Sequence, residues 1–263
     1  MAADGVPSNI VGYGTTPLSK GMNMVGVNFK EVGKPSGDLQ TLFLPSGLVG
    51  VNWGTLLGGD QLMVWDPAAQ GYPIFYTWTG ADADTELGET GVANKWVDLN
   101  TFDGTPSTLP VIDLSVGGAA WIVTESASAS FISHGEVKED ATGIPLLAGM
   151  NMIANTLPID INLNSGTKMV FNGLAAVDWG TLLGGDQLMV WDSTAQGYPI
   201  FYTWTGADAD TELGETGVSN KWVDLNTFDG TSATVPVIDL SINGAVWVVR
   251  STGSSASVDI PGL

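Results

Sequence analysis

The residues best equipped for chemistry are carboxylates gathered in a loop that occurs twice. GADADTELGETG runs from Gly80 to Gly91 and again from Gly206 to Gly217. Asp82, Asp84, Glu86 and Glu89 place four carboxylates within eight residues, and Asp208, Asp210, Glu212 and Glu215 repeat them. Hard oxygen ligands of this kind are what calcium takes, although the glycine and the final glutamate are displaced from their EF-hand positions. The plain alternative is a solvated acidic loop. Calcium is the one cofactor the sequence suggests, and nothing in it requires one. Paired carboxylates also serve glycosidases as acid and base or nucleophile, but nothing along the chain fixes their separation. His134 is the sole histidine and has no counterpart in the second copy, so neither a Ser-His-Asp site nor a histidine metal site finds support. Gly58-Gly59 lacks the lysine of a phosphate loop and reads as a turn. The chain is therefore read as non-enzymatic, with no catalytic residues.

Aromatic side chains offer a second chemistry. Trp78, Trp96, Trp204 and Trp222 would stack on sugar rings if they pointed outward from a sheet, which makes a carbohydrate-binding surface the alternative function. Their alternation with Ile and Val favours core packing instead.

Eight basic residues against 28 acidic ones give a net charge of −20, which disfavours nucleic acid and anionic membranes as partners. There is no cysteine, so disulfides and thiol chemistry are excluded. No apolar run reaches the ~18 residues of a membrane helix. The start, MAADGVPSN, lacks the charged and apolar regions of a signal peptide, and Ala2-Ala3-Asp4 fits what remains after one is removed.

The elements that must position these residues are duplicated. Asn52 to Val123 matches Asp178 to Val249 at 61 of 72 positions at a constant offset of 126, and PLSKGMNM from Pro17 resembles PLLAGMNM from Pro145 at an offset of 128. The boundary is expected in the Ser/Ala-rich stretch after Thr124, giving modules 1–126 and 127–263. Period-two patterning dominates: Tyr72, Ile74, Tyr76 and Trp78 would share one strand face, and Leu62 and Val64 would lie opposite Met63 and Trp65. Gly117-Gly118 and Asn243-Gly244 sit between apolar runs and predict type I′ hairpins joining Val111–Val116 to Ala119–Val123 and their repeats. Only Asp38 to Phe43 has helical pattern, enough for one turn. The expected class is all-β, as two tandem β-sandwich, jelly-roll-like domains.

The ends differ from the middle. Ala256, Val258 and Ile260 alternate as a strand does, with no further module to enter, and Ile10, Val11 and Tyr13 precede the first module as the joining segment precedes the second. If the contact between the copies recurs between chains, it is heterologous and does not close. The sequence therefore predicts a homopolymer built head to tail, an extracellular or cell-surface filament, sheath or layer, with strand complementation through the termini.

KGMNMVGVNF, GDQLMVWD, GYPIFYTW and KWVD together resemble a module of exported and surface proteins of environmental bacteria, with a G-x-N-[LM]-[VI]-G … D-x-[IL]-x-V-W … W-x-D pattern. Gly21, Asn23, Met24, Val25, Gly26, Asp60, Leu62, Val64, Trp65, Trp96 and Asp98 carry it. The resemblance implies export and an envelope role without naming an activity. The second copy departs from it at Ala154, which predicts a different bend in its first strand.

Overall fold

The computed structural model describes residues 11–30, 32, 37–52, 58–66, 68–78, 94–114, 117–126, 128–178, 184–204, 218, 220–251 and 253–262. The protein is all-β, as the period-two patterning requires, with one α-helical turn at Leu39–Leu42 and short 3-10 turns at Pro106–Thr108, Leu163–Ser165 and Ser232–Thr234 among the described residues. The first copy begins with β1 (Val11–Pro17), β2 (Gly21–Gly26), β3 (Phe29–Lys30), β4 (Gly37–Asp38), β5 (Phe43–Ser46) and β6 (Gln61–Val64). It continues with β7 (Ile74–Trp78), β8 (Lys95–Val97), β9 (Asp113–Leu114), β10 (Ala119–Thr124) and β11 (Ser130–Val137). The second copy supplies β12 (Thr142–Pro145), β13 (Gly149–Ala154), β14 (Ile161–Asn162), β15 (Val170–Asn172) and β16 (Gln187–Val190). Its remaining strands are β17 (Ile200–Trp204), β18 (Lys221–Val223), β19 (Asp239–Leu240), β20 (Ala245–Arg250) and β21 (Ser257–Ile260).

Each copy builds a five-stranded antiparallel sheet, β2-β10-β6-β7-β8 and β13-β20-β16-β17-β18. A smaller sheet accompanies each: β1-β11-β3 with β5 also on β11, and β12-β21-β15. The four sheets are arranged in a propeller-like ring, which corrects the expectation of two tandem sandwiches. The reason lies in the sheet faces. A sandwich sheet is apolar on its inner face only, whereas these five-stranded sheets are apolar on both. Along β10, Ala120 and Ile122 join Leu62, Val64 and Phe131 in the first copy's own core, while Ala119 and Trp121 turn toward the second copy. Along β20, Val246 and Val248 turn inward and Ala245 and Trp247 turn to the first copy. The opposition of Leu62 and Val64 to Met63 and Trp65 is thus real, and its second face is the contact between copies.

Three sequence expectations need correction. β11 lies beyond residue 126, yet it pairs with β1, β3 and β5, so the first module runs through Val137 and the short segment 138–141 joins the copies. Among the described residues the expected hairpin pairing does not occur: β9 pairs with β4, while β10 lies between β2 and β6. The Gly244 N–H donates to the Ser241 carbonyl at 2.8 Å with Asn243 at φ 60°, so the turn is centred one residue earlier than a type I′ turn over Asn243-Gly244. Finally, β13 pairs with β20 over six residues in the register that β2 keeps on β10, so Ala154 leaves the strand unbent.

Candidate functional site

The contact between the copies is built from the same residues twice. Trp65 packs edge-on to Trp247, with ring centroids 4.9 Å apart and planes at 88°; Trp191 meets Trp121 at 4.9 Å and 87°. These pairs exchange under the 126-residue offset, so the seam has approximate two-fold symmetry. Met24 and Met152 fill the space between the indoles. Trp65 Nε1 donates to the Met150 carbonyl at 3.1 Å, and Trp191 Nε1 donates to the Met22 carbonyl at 2.8 Å. Gln70 holds both backbone groups of Met150, accepting from its N–H at 3.1 Å and donating to its carbonyl at 3.2 Å. Gln196 holds Met22 in the same way, at 2.9 and 3.2 Å. Both glutamines adopt a left-handed φ, 50° and 48°, a conformation a non-glycine residue keeps only when its surroundings hold it there.

β2 and β13 are outer strands whose free backbone groups would otherwise invite pairing, and the tryptophan and glutamine of the opposite copy cover them. The seam is therefore self-complementary. Within one chain it is an approximately isologous contact between the two copies. Behind it, Trp121 Nε1 donates to the Tyr72 hydroxyl at 3.3 Å. Burial pushes the Tyr72 and Tyr198 hydroxyls above the ordinary tyrosine value.

The described carboxylates mostly organise backbone. Asp60 is fully buried and accepts from the Val49 N–H at 2.9 Å, the Glu125 N–H at 2.7 Å and the Thr124 hydroxyl at 3.1 Å. Its counterpart Asp186 accepts from Ala175 and Ser251, and Arg250, standing where the first copy has Thr124, lies 3.6 Å away. On the surface, the Thr108 and Thr105 hydroxyls hold Asp103 below the usual carboxylate range, and Thr234 and Thr231 do the same to Asp229. Among the described residues no three His, Cys, Asp or Glu side chains are grouped to hold a metal.

The sequence candidates fall out unevenly. Asp82, Asp84, Glu86, Glu89, Asp208, Asp210, Glu212 and Glu215 lie outside the described residues, as does Ile10. Trp78, Trp96, Trp204 and Trp222 are 1, 2, 1 and 3 % exposed. They cannot present their rings to a sugar: Trp78 packs on Phe102 and Trp204 on Phe228, and Trp96 and Trp222 lie inside the two module cores. Val258 and Ile260 are 0 and 1 % exposed, and with Ala256 they serve their own module. β21 is the central strand between β12 and β15, the counterpart of β11, so the C-terminal segment is not free to pair elsewhere. Sequence reading missed this because a one-residue shift in offset, from 126 to 127, separates β21 from β11.

β1 is different. It pairs on one side with β11 from Val11↔Glu136 to Pro17↔Ser130, and no described strand lies beyond it. Val11 and Tyr13 are 63 and 77 % exposed on its outer face. Its inner face carries Gly12 and Gly14, because a Cβ on Gly12 would meet the Phe29 ring at 3.0 Å and one on Gly14 would meet Asn243 Nδ2 at 2.6 Å. The glycine-tyrosine-glycine pattern thus turns a half-buried Gly12 and a buried Gly14 inward and the tyrosine out. Among the described residues no helix is long and apolar enough to cross a membrane. No protein-family model matches the chain, and no curated protein or solved structure matches it.

Proposed function

We propose that the protein is an extracellular structural subunit that assembles with copies of itself, and that β1 is the surface through which it does so. One observation carries the reading: a seven-residue outer strand with no described strand along its second edge and with exposed Val11 and Tyr13, where the other long outer strands among the described residues, β2 and β13, are covered by the opposite copy. Open apolar strand edges are templates for pairing, and proteins that stay apart blunt them with lysine, proline or bulges. Pairing β1 with β1 closes a dimer. Pairing it with an outer strand of another chain's second module, such as β15, is heterologous and gives an open series. The reading takes the second, a filament, sheath or surface layer, with calcium on the acidic loops as a bridging ion. The resemblance to exported surface modules supports the location outside the cell.

Negative-stain microscopy of the purified protein, with and without a calcium chelator, tests this. Regular fibres are expected from the native chain, lost in a Val11→Lys/Tyr13→Lys variant that keeps its fold by circular dichroism. Monodisperse single particles under all conditions would overturn the reading.

A further inference from the structure

The seam is two-fold in its tryptophans, methionines and glutamines, but not in the turns that dock across it. Each module pushes the turn before β10 or β20 into the other. Module two inserts Asn243, fully buried, between Gly14, Thr16 and Ser133 of module one. Ser133 Oγ donates to Asn243 Oδ1 at 2.8 Å, and Asn243 Nδ2 donates to Thr16 Oγ1 at 3.2 Å. Module one inserts Gly117 at the equivalent place, where a Cβ would already meet Ile144 Cδ1 at 2.5 Å and Thr156 Cγ2 at 3.4 Å. Strand registers make the exchange systematic. Thr142, Ile144 and Ile260 occupy in module two the positions of Gly14, Thr16 and Ser133 in module one. One socket presents the Thr16 and Ser133 hydroxyls to an amide; the other has Ile144 and Ile260 in their places and faces a glycine.

A third asymmetry lies near the axis. Gly26 donates its N–H to the Asn243 carbonyl at 2.6 Å, and Ala154 donates to the Gly117 carbonyl at 2.8 Å. A Cβ on Gly26 would stand 2.5 Å from the Ala154 Cβ and 2.7 Å from the Gly244 carbonyl. Only one of the two facing positions has room for a methyl group. This gives the departure from glycine at Ala154 a physical reason: it is tolerated because its neighbour across the seam kept glycine.

We infer that the seam is a selective recognition surface, in which module one accepts module two and two copies of module two exclude each other, so that the outside partner it fits is the opposite module of a second copy of this chain. A pair of second modules would bring Asn243 against Ile144 in a socket without the Thr16 and Ser133 hydroxyls that hold its amide in the native seam, and would oppose Ala154 to Ala154. A pair of first modules would leave the polar socket of Thr16 and Ser133 without its amide. Segment 138–141 is all that joins the modules, so a chain that opens there exposes both halves of a matched seam. This inference stands on the turns and sockets, independently of the β1 reading; loss of fibres in β1 variants leaves it untouched.

The absence of native cysteine allows a direct test on the full chain. Single-cysteine variants are unfolded in urea, mixed, refolded at high concentration and treated with a short bis-maleimide. Gln70→Cys with Met150→Cys reports pairing of module one with module two between chains; Gln70→Cys with Met22→Cys reports two first modules; Gln196→Cys with Met150→Cys reports two second modules. Inter-chain product is expected in the first mixture, at least tenfold above the third. Equal yields in the first and third overturn the selectivity, and no inter-chain product in any mixture overturns the second copy as partner. A cycle within one chain checks the cause: Gly117→Asn should lower the urea midpoint in the native background and leave it unchanged or raised in Thr142→Gly/Ile144→Thr. The same effect in both backgrounds would refute the socket argument.

Discussion

Gly14→Ala isolates the docking of Asn243 because the sign of its effect depends on one neighbour. Gly14 has no left-handed φ, so alanine is conformationally acceptable there. With open space, the change would stabilise by about 0.4–1 kcal/mol through the unfolded chain. Space is not open: the new Cβ would lie 2.6 Å from Asn243 Nδ2, and all three nearest atoms belong to Asn243. That amide is the end of a short side chain, but it is buried and bonded on both sides, to Ser133 and Thr16, so it moves only by giving up those bonds. Crowding of this kind costs about 1–3 kcal/mol, which outweighs the gain. Asn243→Gly alone should also destabilise, by about 1–3 kcal/mol, through the two lost bonds. In that background Gly14→Ala should become neutral or stabilising. Urea unfolding of the four proteins would read the cycle, with an expected coupling of about 2 kcal/mol. Additivity within about 0.5 kcal/mol, the behaviour of independent sites, would refute the docking.

Other outcomes follow from the same contacts. Trp121→Ala removes an indole that packs on Trp191 and bonds Tyr72, and should cost about 3–5 kcal/mol by urea unfolding, with the loss shared by both copies. Gln70→Gly gives up two bonds to Met150 but relieves the left-handed φ, so it should be less damaging in thermal unfolding than Gln70→Ala, which keeps the strain. The Tyr72 and Tyr198 hydroxyls titrate higher in the fold than in the unfolded chain, so the folded state binds more protons at alkaline pH. Their contribution is complete below pH ~10 and is lost as pH rises through their folded values, which stability measured from pH 8 upward should register as a decline absent from Tyr72→Phe/Tyr198→Phe. Asp103 and Asp229 act with the opposite sign: their contribution is present above the ordinary aspartate range and is lost as pH falls through their lowered values, so Asp103→Asn/Asp229→Asn should flatten the acid limb of the same profile.

Much of the fold could be read from residue types. Alternation along Gln61–Val64 and Ile74–Trp78 identified both strands and separated their faces, because a strand's period of two is local. What period two cannot say is what lies against each face. Trp65 and Trp121 are buried, and what covers them is the other module across the seam. The hairpin at Gly117 failed for a related reason: turn residues tolerate positive φ wherever a chain reverses, and here the reversal serves docking into the other copy. Composition named tryptophans for sugar binding without their depth, and a shift of one residue in the repeat hid β21 as the partner of β12. Val11 and Tyr13 were named from the alternation at the ends, although the half-buried Gly12 and buried Gly14 between and beside them were not assigned a role.

Hydrogen exchange of the assembled against the dispersed protein reads pairing at β1 itself, because strand addition there must pair backbone N–H groups that no described strand pairs in the single chain. Amides within Val11–Pro17 that exchange fast in the dispersed protein are expected to slow by at least tenfold on assembly, while the already paired amides of β10 and β20 change little. Fibres in which β1 exchanges as fast as in the dispersed protein would contradict it.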